Sequence, residues 1–327
     1  MRLTLFATLA SLAFSHAGSY EGINDDWSFD LGVTNFPDWM RIIVDSVPLS
    51  ILSIPGTHSS MTDKVENGFL QTQNVPLAQQ LASGIRYIDI TCRYTNDEMK
   101  VYKGPVDTGY GLKDVLTTMF DFLDDYPSEA VILRIQKGGT LDDSKTFLDS
   151  MKSYFEAGSK LGDRALQRVY FRDPDNTAVP TLGQVRGKVL ILQDFKTTDR
   201  YGIRWNSKRI SSYSNKLPAI SILLPSYWSR VQSHISRSPS QNLDKLRITH
   251  TRVGLGVKPI NMAAKSDGDA GMNGYLGKYL LLEKGDSYGI VAMDFPNDAL
   301  VQAIVKLNYQ HLVLTFENGG YGYGLAS

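Results

Sequence analysis

Two residue types at two separated places set the first question. His58 follows Pro55-Gly56-Thr57, where a glycine lets the backbone turn sharply and present an imidazole for general acid-base work. Asp294, in Met293-Asp294-Phe295-Pro296, is a carboxylate able to orient an imidazole and stabilise its charged form. Each also has a plain structural reading: a histidine on a surface turn, and an aspartate capping a helix that begins near Asn297. Asp89, inside the otherwise apolar run "YIDIT", needs a partner, because an unpaired carboxylate is costly to bury. Arg93, or a residue across the site, is the expected partner, in a structural or a catalytic pair. Cys92, the only cysteine, excludes an intrachain disulfide and reads as a small buried apolar residue rather than a nucleophile.

The elements that must carry these residues alternate between strand and helix. "LSILSIPGTH", "IRYIDITCRY", "SEAVILRIQKGG", "RGKVLILQDF", "LRITHTRVG" and "YGIVAMDFP" read as strands. "PLAQQLASG" reads as a helix closed by Gly84. "GLKDVLTTMFDFLDDYP" places Leu112, Val115, Leu116, Met119, Phe122, Leu123 and Tyr126 on one helical face, and Pro127 ends it. Further helices are expected in "SKTFLDSMKSYFEAG", "GMNGYLGKYLLLEKG" and "NDALVQAIVKLNY". This alternation implies parallel strands with helical crossovers, and about six or seven strands suit an irregular, TIM-like (β/α) barrel. In such a barrel, function sits at the C-terminal strand ends. That rule selects Thr57, His58, Asp89, Thr91, Arg93, Lys137, Asp194, His250 and Asp294.

Composition narrows the partners. The 327 residues balance 34 Lys and Arg against 34 Asp and Glu, which gives no bulk attraction to nucleic acid. Residues 1–17, "MRLTLFATLASLAFSHA", read as a secretory signal peptide, too short for a spanning helix. The expectation is a secreted, monomeric protein with one barrel domain over residues 18–327. A basic and aromatic cluster at 196–209, holding Lys196, Arg200, Arg204, Trp205, Lys208 and Arg209, is a solvated face or a contact for lipid phosphate. No phosphate-binding P-loop, H-E-x-x-H or G-x-S-x-G segment occurs.

Taken together, "LSILSIPGTHSS", "QNVPLAQQLASGIRYIDITCRY", "MKVYKGPVDTGYGLKDVLTTMFDFLDDYPSEAVILRIQKG" and "RGKVLILQDF" resemble the X domain of phosphatidylinositol-specific phospholipase C in its secreted single-domain form. The resemblance runs from about Asp38 to Leu307. It implies cleavage of phosphatidylinositol, or a related phosphodiester, to diacylglycerol and a cyclic inositol phosphate, without calcium or another cofactor, during peripheral membrane contact.

In that chemistry a histidine matching His58 takes the proton of the inositol 2-hydroxyl, and a carboxylate matching Asp294 steadies it. A second histidine protonates the leaving oxygen, then serves as base when water opens the cyclic product. An arginine two residues after the second-strand aspartate neutralises the phosphorane. Three positions depart from the pattern: Ser59 stands for an aspartate, Thr91 for the arginine, and Lys103 for the second histidine. An ordinary lysine, protonated at neutral pH, supplies charge or a proton but not reversible proton transfer. Arg93 is the expected replacement cation, with Thr91, Lys137 and Asp194 as further substrate contacts. An impaired barrel that binds a headgroup without turnover is the alternative.

Overall fold

The computed structural model describes residues 18–322, apart from 140–143, 172–177, 216–219, 221–222, 238–242, 253, 255, 265–269, 283–286, 313–314 and 318–319. The proposed signal peptide therefore lies outside the described residues. Ten strands make the main sheet: β1 (Ile54–Thr57), β2 (Tyr87–Thr95), β3 (Glu98–Lys103), β4 (Val106–Gly111), β5 (Ala130–Lys137), β6 (Lys188–Asp194), β7 (Gly202–Arg204), β8 (Ile210–Tyr213), β9 (Leu246–His250) and β10 (Ile290–Met293). Eight of them run parallel in the order β8-β9-β10-β1-β2-β5-β6-β7. The other two, β3 and β4, form an antiparallel hairpin on the end of β2.

The result is a nearly closed, irregular TIM-like barrel. Its first and last strands in spatial order, β8 and β7, are neighbours in the chain, and no pairing between them occurs among the described residues. They account for the difference from the six or seven strands expected. With only three and four residues, "GIR" and "ISSY", they carry no apolar run by which a strand is recognised.

Helices cover the barrel, five of them where the sequence pattern placed them. Helix α1 (Leu77–Ala82) ends before Gly84, which takes φ 104°, a left-handed turn open to glycine. Helix α2 (Leu112–Asp125) buries all six of its expected apolar residues from Leu112 to Leu123, while Tyr126 lies just past the helix and only partly buried. The remaining cover comes from α3 (Ser144–Ser153), α4 (Lys160–Arg168), α5 (Leu182–Val185), α6 (Leu224–Ile235), α7 (Pro259–Ala263), α8 (Met272–Leu282) and α9 (Asp298–Lys306). Val131, Ile132, Leu133, Val189, Leu190, Ile191 and Leu192 are all buried, so β5 and β6 read as near-continuous apolar runs, as parallel strands covered on both faces do. Parallel alignment brings the C-terminal ends of β1, β2, β5, β6, β9 and β10 to one mouth.

Candidate active site

The loop after β10 decides the role of Asp294. The cap of α9 is Asn297, whose side chain accepts from the Leu300 amide at 2.9 Å. Asp294 is thereby left for His58, and its Oδ1 lies 2.8 Å from the imidazole Nδ1. Both side chains are nearly inaccessible to water. Backbone ties hold them together: the His58 amide donates to the Met293 carbonyl at 2.9 Å. Gln73 Nε2 donates to the carbonyls of His58 and Met293 at 3.0 and 2.9 Å. Asn273 Nδ2 donates to the carbonyl of Asp294 at 3.0 Å. Because a carboxylate only accepts, Nδ1 carries the imidazole proton and Nε2 is left as an acceptor facing the mouth.

Two groups meet that acceptor. Lys103, at the tip of the hairpin, puts Nζ 3.3 Å from His58 Nε2. It also donates to Ser59 Oγ at 2.7 Å, and that oxygen lies 3.2 Å from the same Nε2. Charge and burial shift all of these groups. Burial, with Lys103 and Arg252 adding to it, holds His58 well below the usual imidazole range. Burial pushes Asp294 up to about 7, against the pull of Lys103 and Arg252. Burial also brings Lys103 down to about 8, with Asp294 pulling the other way and Arg252 reinforcing it. Lys103 is thus not the ordinary lysine that its residue type suggests. Near neutral pH it can both give and take a proton.

The second charge centre is Arg134 of β5, which the strand-end reading did not select. Register sets it opposite Asp89, and its Nη1 reaches both Asp89 oxygens at 3.4 Å. Its Nη2 bonds Asp194 at 2.6 Å, and the guanidinium lies 3.8 Å from the centre of the Trp205 ring. Burial alone would lower its pKa, but Asp89, Tyr87 and Asp194 outweigh burial and hold it above the ordinary guanidinium range. A lone arginine in the apolar run "VILRIQK" is the signal that could have found it, by the same logic that singled out Asp89. The basic cluster thus contributes Trp205 to the site, while Arg209 pairs with Asp244 at 2.9 Å.

Several expectations need correction. The partner of Asp89 is Arg134, a residue of another strand, as the alternative to Arg93 allowed. Arg93 Nη2 bonds the Gly104 carbonyl at 2.6 Å and lies over the Tyr102 ring, because β2 has by then run into its hairpin with β3. It braces the turn beside Lys103 instead of entering the mouth. Lys137 pairs in register with buried Cys92 and lies over Phe147 of α3, on the helix side of the sheet. Alternation along β5 sends Arg134 and Gln136 inward and Lys137 outward. Thr91 does sit at the mouth, with its hydroxyl 3.2 Å from Gln136 Oε1. Cys92 is buried, and its thiol is pushed up by burial, as befits a packing residue.

His250 packs edge-on against His58, with ring centres 5.6 Å apart, and burial brings it down to about 3, so it stays neutral. Arg252 donates from Nε to Ser214 Oγ at 2.9 Å and packs in a closed crevice with Thr251, Asn273 and Asp294.

Residues 48–194 match the family described as phosphatidylinositol-specific phospholipase C, X domain. Residues 48–194 carry the X-domain pattern of this phospholipase family. It is similar to the 1-phosphatidylinositol phosphodiesterase of Listeria monocytogenes, at 28% identity over 293 residues that cover 83% of this chain and 84% of the relative. A protein of the same name from Staphylococcus aureus is 27% identical over 183 residues, covering 51% of this chain and 56% of that relative. In fold it resembles the solved Listeria phosphatidylinositol-specific phospholipase C, with TM-score 0.68, 24% identity, and coverage of 84% of this chain and 99% of that one.

The X-domain match holds His58, Ser59, Asp89, Lys103, Arg134 and Asp194. His250, Arg252 and Asp294 come from the part of the chain beyond it. Among the described residues, no helix is long and apolar enough to cross a membrane.

Proposed function

We propose that this X domain is a phosphodiesterase of the phosphatidylinositol phospholipase C type. The observation that carries the reading is the 2.8 Å bond from Asp294 to His58 Nδ1, which leaves Nε2 an acceptor beside a cationic pocket. In the cleaving step Nε2 takes the proton of the inositol 2-hydroxyl while that oxygen bonds to phosphorus. The bond from phosphorus to the glycerol oxygen breaks, and the Lys103 ammonium protonates the departing alkoxide. Arg134, held by Asp89 and Asp194, and Arg252 offset charge on the phosphorane oxygens, the work expected of an arginine at the Thr91 position. With cations in these places the step calls on no calcium. In the second step the water oxygen bonds to phosphorus as neutral Lys103 takes its proton, the bond from phosphorus to the 2-oxygen breaks, and His58 returns a proton to that oxygen.

The protein acts outside the cell as a monomer after loss of residues 1–17, in peripheral contact with the bilayer that holds its substrate. The direct contact between Lys103 Nζ and His58 Nε2, at 3.3 Å, favours a second reading. There the lysine occupies the space of the attacking hydroxyl, and the barrel binds a headgroup without turnover.

A phosphorus NMR time course on phosphatidylinositol vesicles, with calcium or chelator, separates the two. Expected is a cyclic inositol phosphate signal indifferent to chelator and reduced about 10²–10⁴-fold in His58→Ala. Headgroup binding with no cyclic product, restored to turnover in Lys103→His, establishes the second reading instead.

A further inference from the structure

The contacts around Ser59 amount to more than a gap left by a missing aspartate. Its hydroxyl lies 3.2 Å from His58 Nε2, whose Nδ1 is 2.8 Å from Asp294. Serine, histidine and aspartate therefore form one relay, in the order that activates a serine nucleophile. Ser59 sits at φ 45°, a left-handed turn that is strained for any residue but glycine, one residue beyond His58 and two beyond the end of β1. A strained turn after a strand is how an exposed nucleophilic serine is commonly held. Unlike the fully enclosed core residues, Ser59 is only partly buried. Lys103 Nζ donates into the serine oxygen at 2.7 Å, which favours its ionised form. No G-x-S-x-G segment announces any of this, because histidine and serine are adjacent in the chain.

We propose that Ser59 is a nucleophile toward phosphorus, and that the site carries out covalent phosphoryl transfer on esters whose alcohol has no hydroxyl next to the phosphate. In this reaction Ser59 Oγ bonds to phosphorus as its proton passes to His58 Nε2. The ester bond from phosphorus to the leaving alcohol breaks, and that oxygen takes a proton from the Lys103 ammonium. Water then attacks the phosphoserine and gives one proton to the Lys103 amine. The bond from Oγ to phosphorus breaks, and His58 reprotonates the serine. The activity shares a base with the inositol reaction but not its nucleophile, so it extends the substrate class to phosphodiesters lacking the 2-hydroxyl.

An alkyl fluorophosphonate tests the first half alone: the bond from Oγ to phosphorus forms, the bond from phosphorus to fluorine breaks, and fluoride leaves. The full chain is incubated with the probe and followed by intact mass and peptide mapping. The expected result is one adduct per chain, on Ser59, with the labelling rate lowered about 10²-fold or more in His58→Ala and in Asp294→Asn. Circular dichroism verifies that each variant is folded. No adduct on the folded wild type, an adduct on another residue, or a Ser59 adduct formed at the same rate in both variants overturns the proposal. Because inositol lipid turnover does not enter the readout, failure here leaves the proposed phospholipase reaction standing, and failure of that reaction leaves this one.

Discussion

The barrel holds two buried clusters of opposite charges, one at each end, and they use similar residues to different ends. At the bottom, Arg86 Nη2 meets Glu129 at 2.9 Å, and neither side chain is exposed at all. Arg86 also donates to the carbonyls of Leu81 and Ile85, each at 2.8 Å, and Glu129 accepts from the Met40 amide at 3.0 Å. Nothing there is shared with water or left for a visitor. At the mouth, one arginine is divided between two carboxylates, Asp194 is 24% exposed, and Lys103 and Asp294 are brought to about 8 and about 7. A cluster built for stability closes its own valences, whereas one built for chemistry keeps a donor and an acceptor near the working pH.

Breaking each cluster is the direct way to test that contrast, and the largest expected loss of stability is at the bottom. Glu129→Gln leaves the Arg86 charge buried without its counter-ion, and the cost is about 3–5 kcal/mol in urea unfolding. The folded fraction should still cleave at the wild-type rate, since Glu129 faces the end of the barrel opposite the mouth. A rate loss larger than the unfolded fraction explains would mean that the two ends are coupled.

The mouth responds in the opposite sense. Arg134→Met removes the cation between Asp89 and Asp194 and should lower kcat by about 10²–10³, the cost of losing one charge donor to a transition state. Stability falls less than at Glu129, because water can reach Asp194. If the rate holds and only stability falls, Arg134 is a structural tie and Arg252 is the cation that matters.

These outcomes also bear on how far the molecule can be read from its residues. Strand-helix alternation located the apolar strands and the helix faces, because burial writes a period into the chain. His58 and Asp294 were legible as strand-end residues, but only the Asn297 cap showed that Asp294 was free. Arg134 stands out as a lone charge in an apolar run, but its meeting with Asp89 was not legible, since it depends on the register of two strands separated by a hairpin and a helix. Lys137 shows the reverse failure: proximity to a strand end is not enough when alternation turns the side chain outward. The residue type of Lys103 suggested a fixed charge, and its proton affinity was set by burial, which no local pattern records.

The pH dependence of cleavage puts that last difference to its narrowest test. In the proposed mechanism Asp294 must be ionised to hold the Nδ1 proton, so the rate should fall as pH drops below about 7, where burial places its titration. In that proposed mechanism Lys103 must be protonated to serve the leaving oxygen, so the rate of the cleaving step should fall again above about 8. Opening of the cyclic product needs the neutral amine and should rise over that same alkaline interval. The limbs are macroscopic, belonging to interacting groups, and each approaches tenfold per pH unit. Lys103→Arg separates the assignments, because a guanidinium does not titrate in this range. Its cleaving step should lose the alkaline limb and keep the acid one, while cyclic phosphate opening disappears. An alkaline limb near 8 that survives in Lys103→Arg would assign that titration to another group and make Lys103 a fixed charge, like Arg86 at the far end.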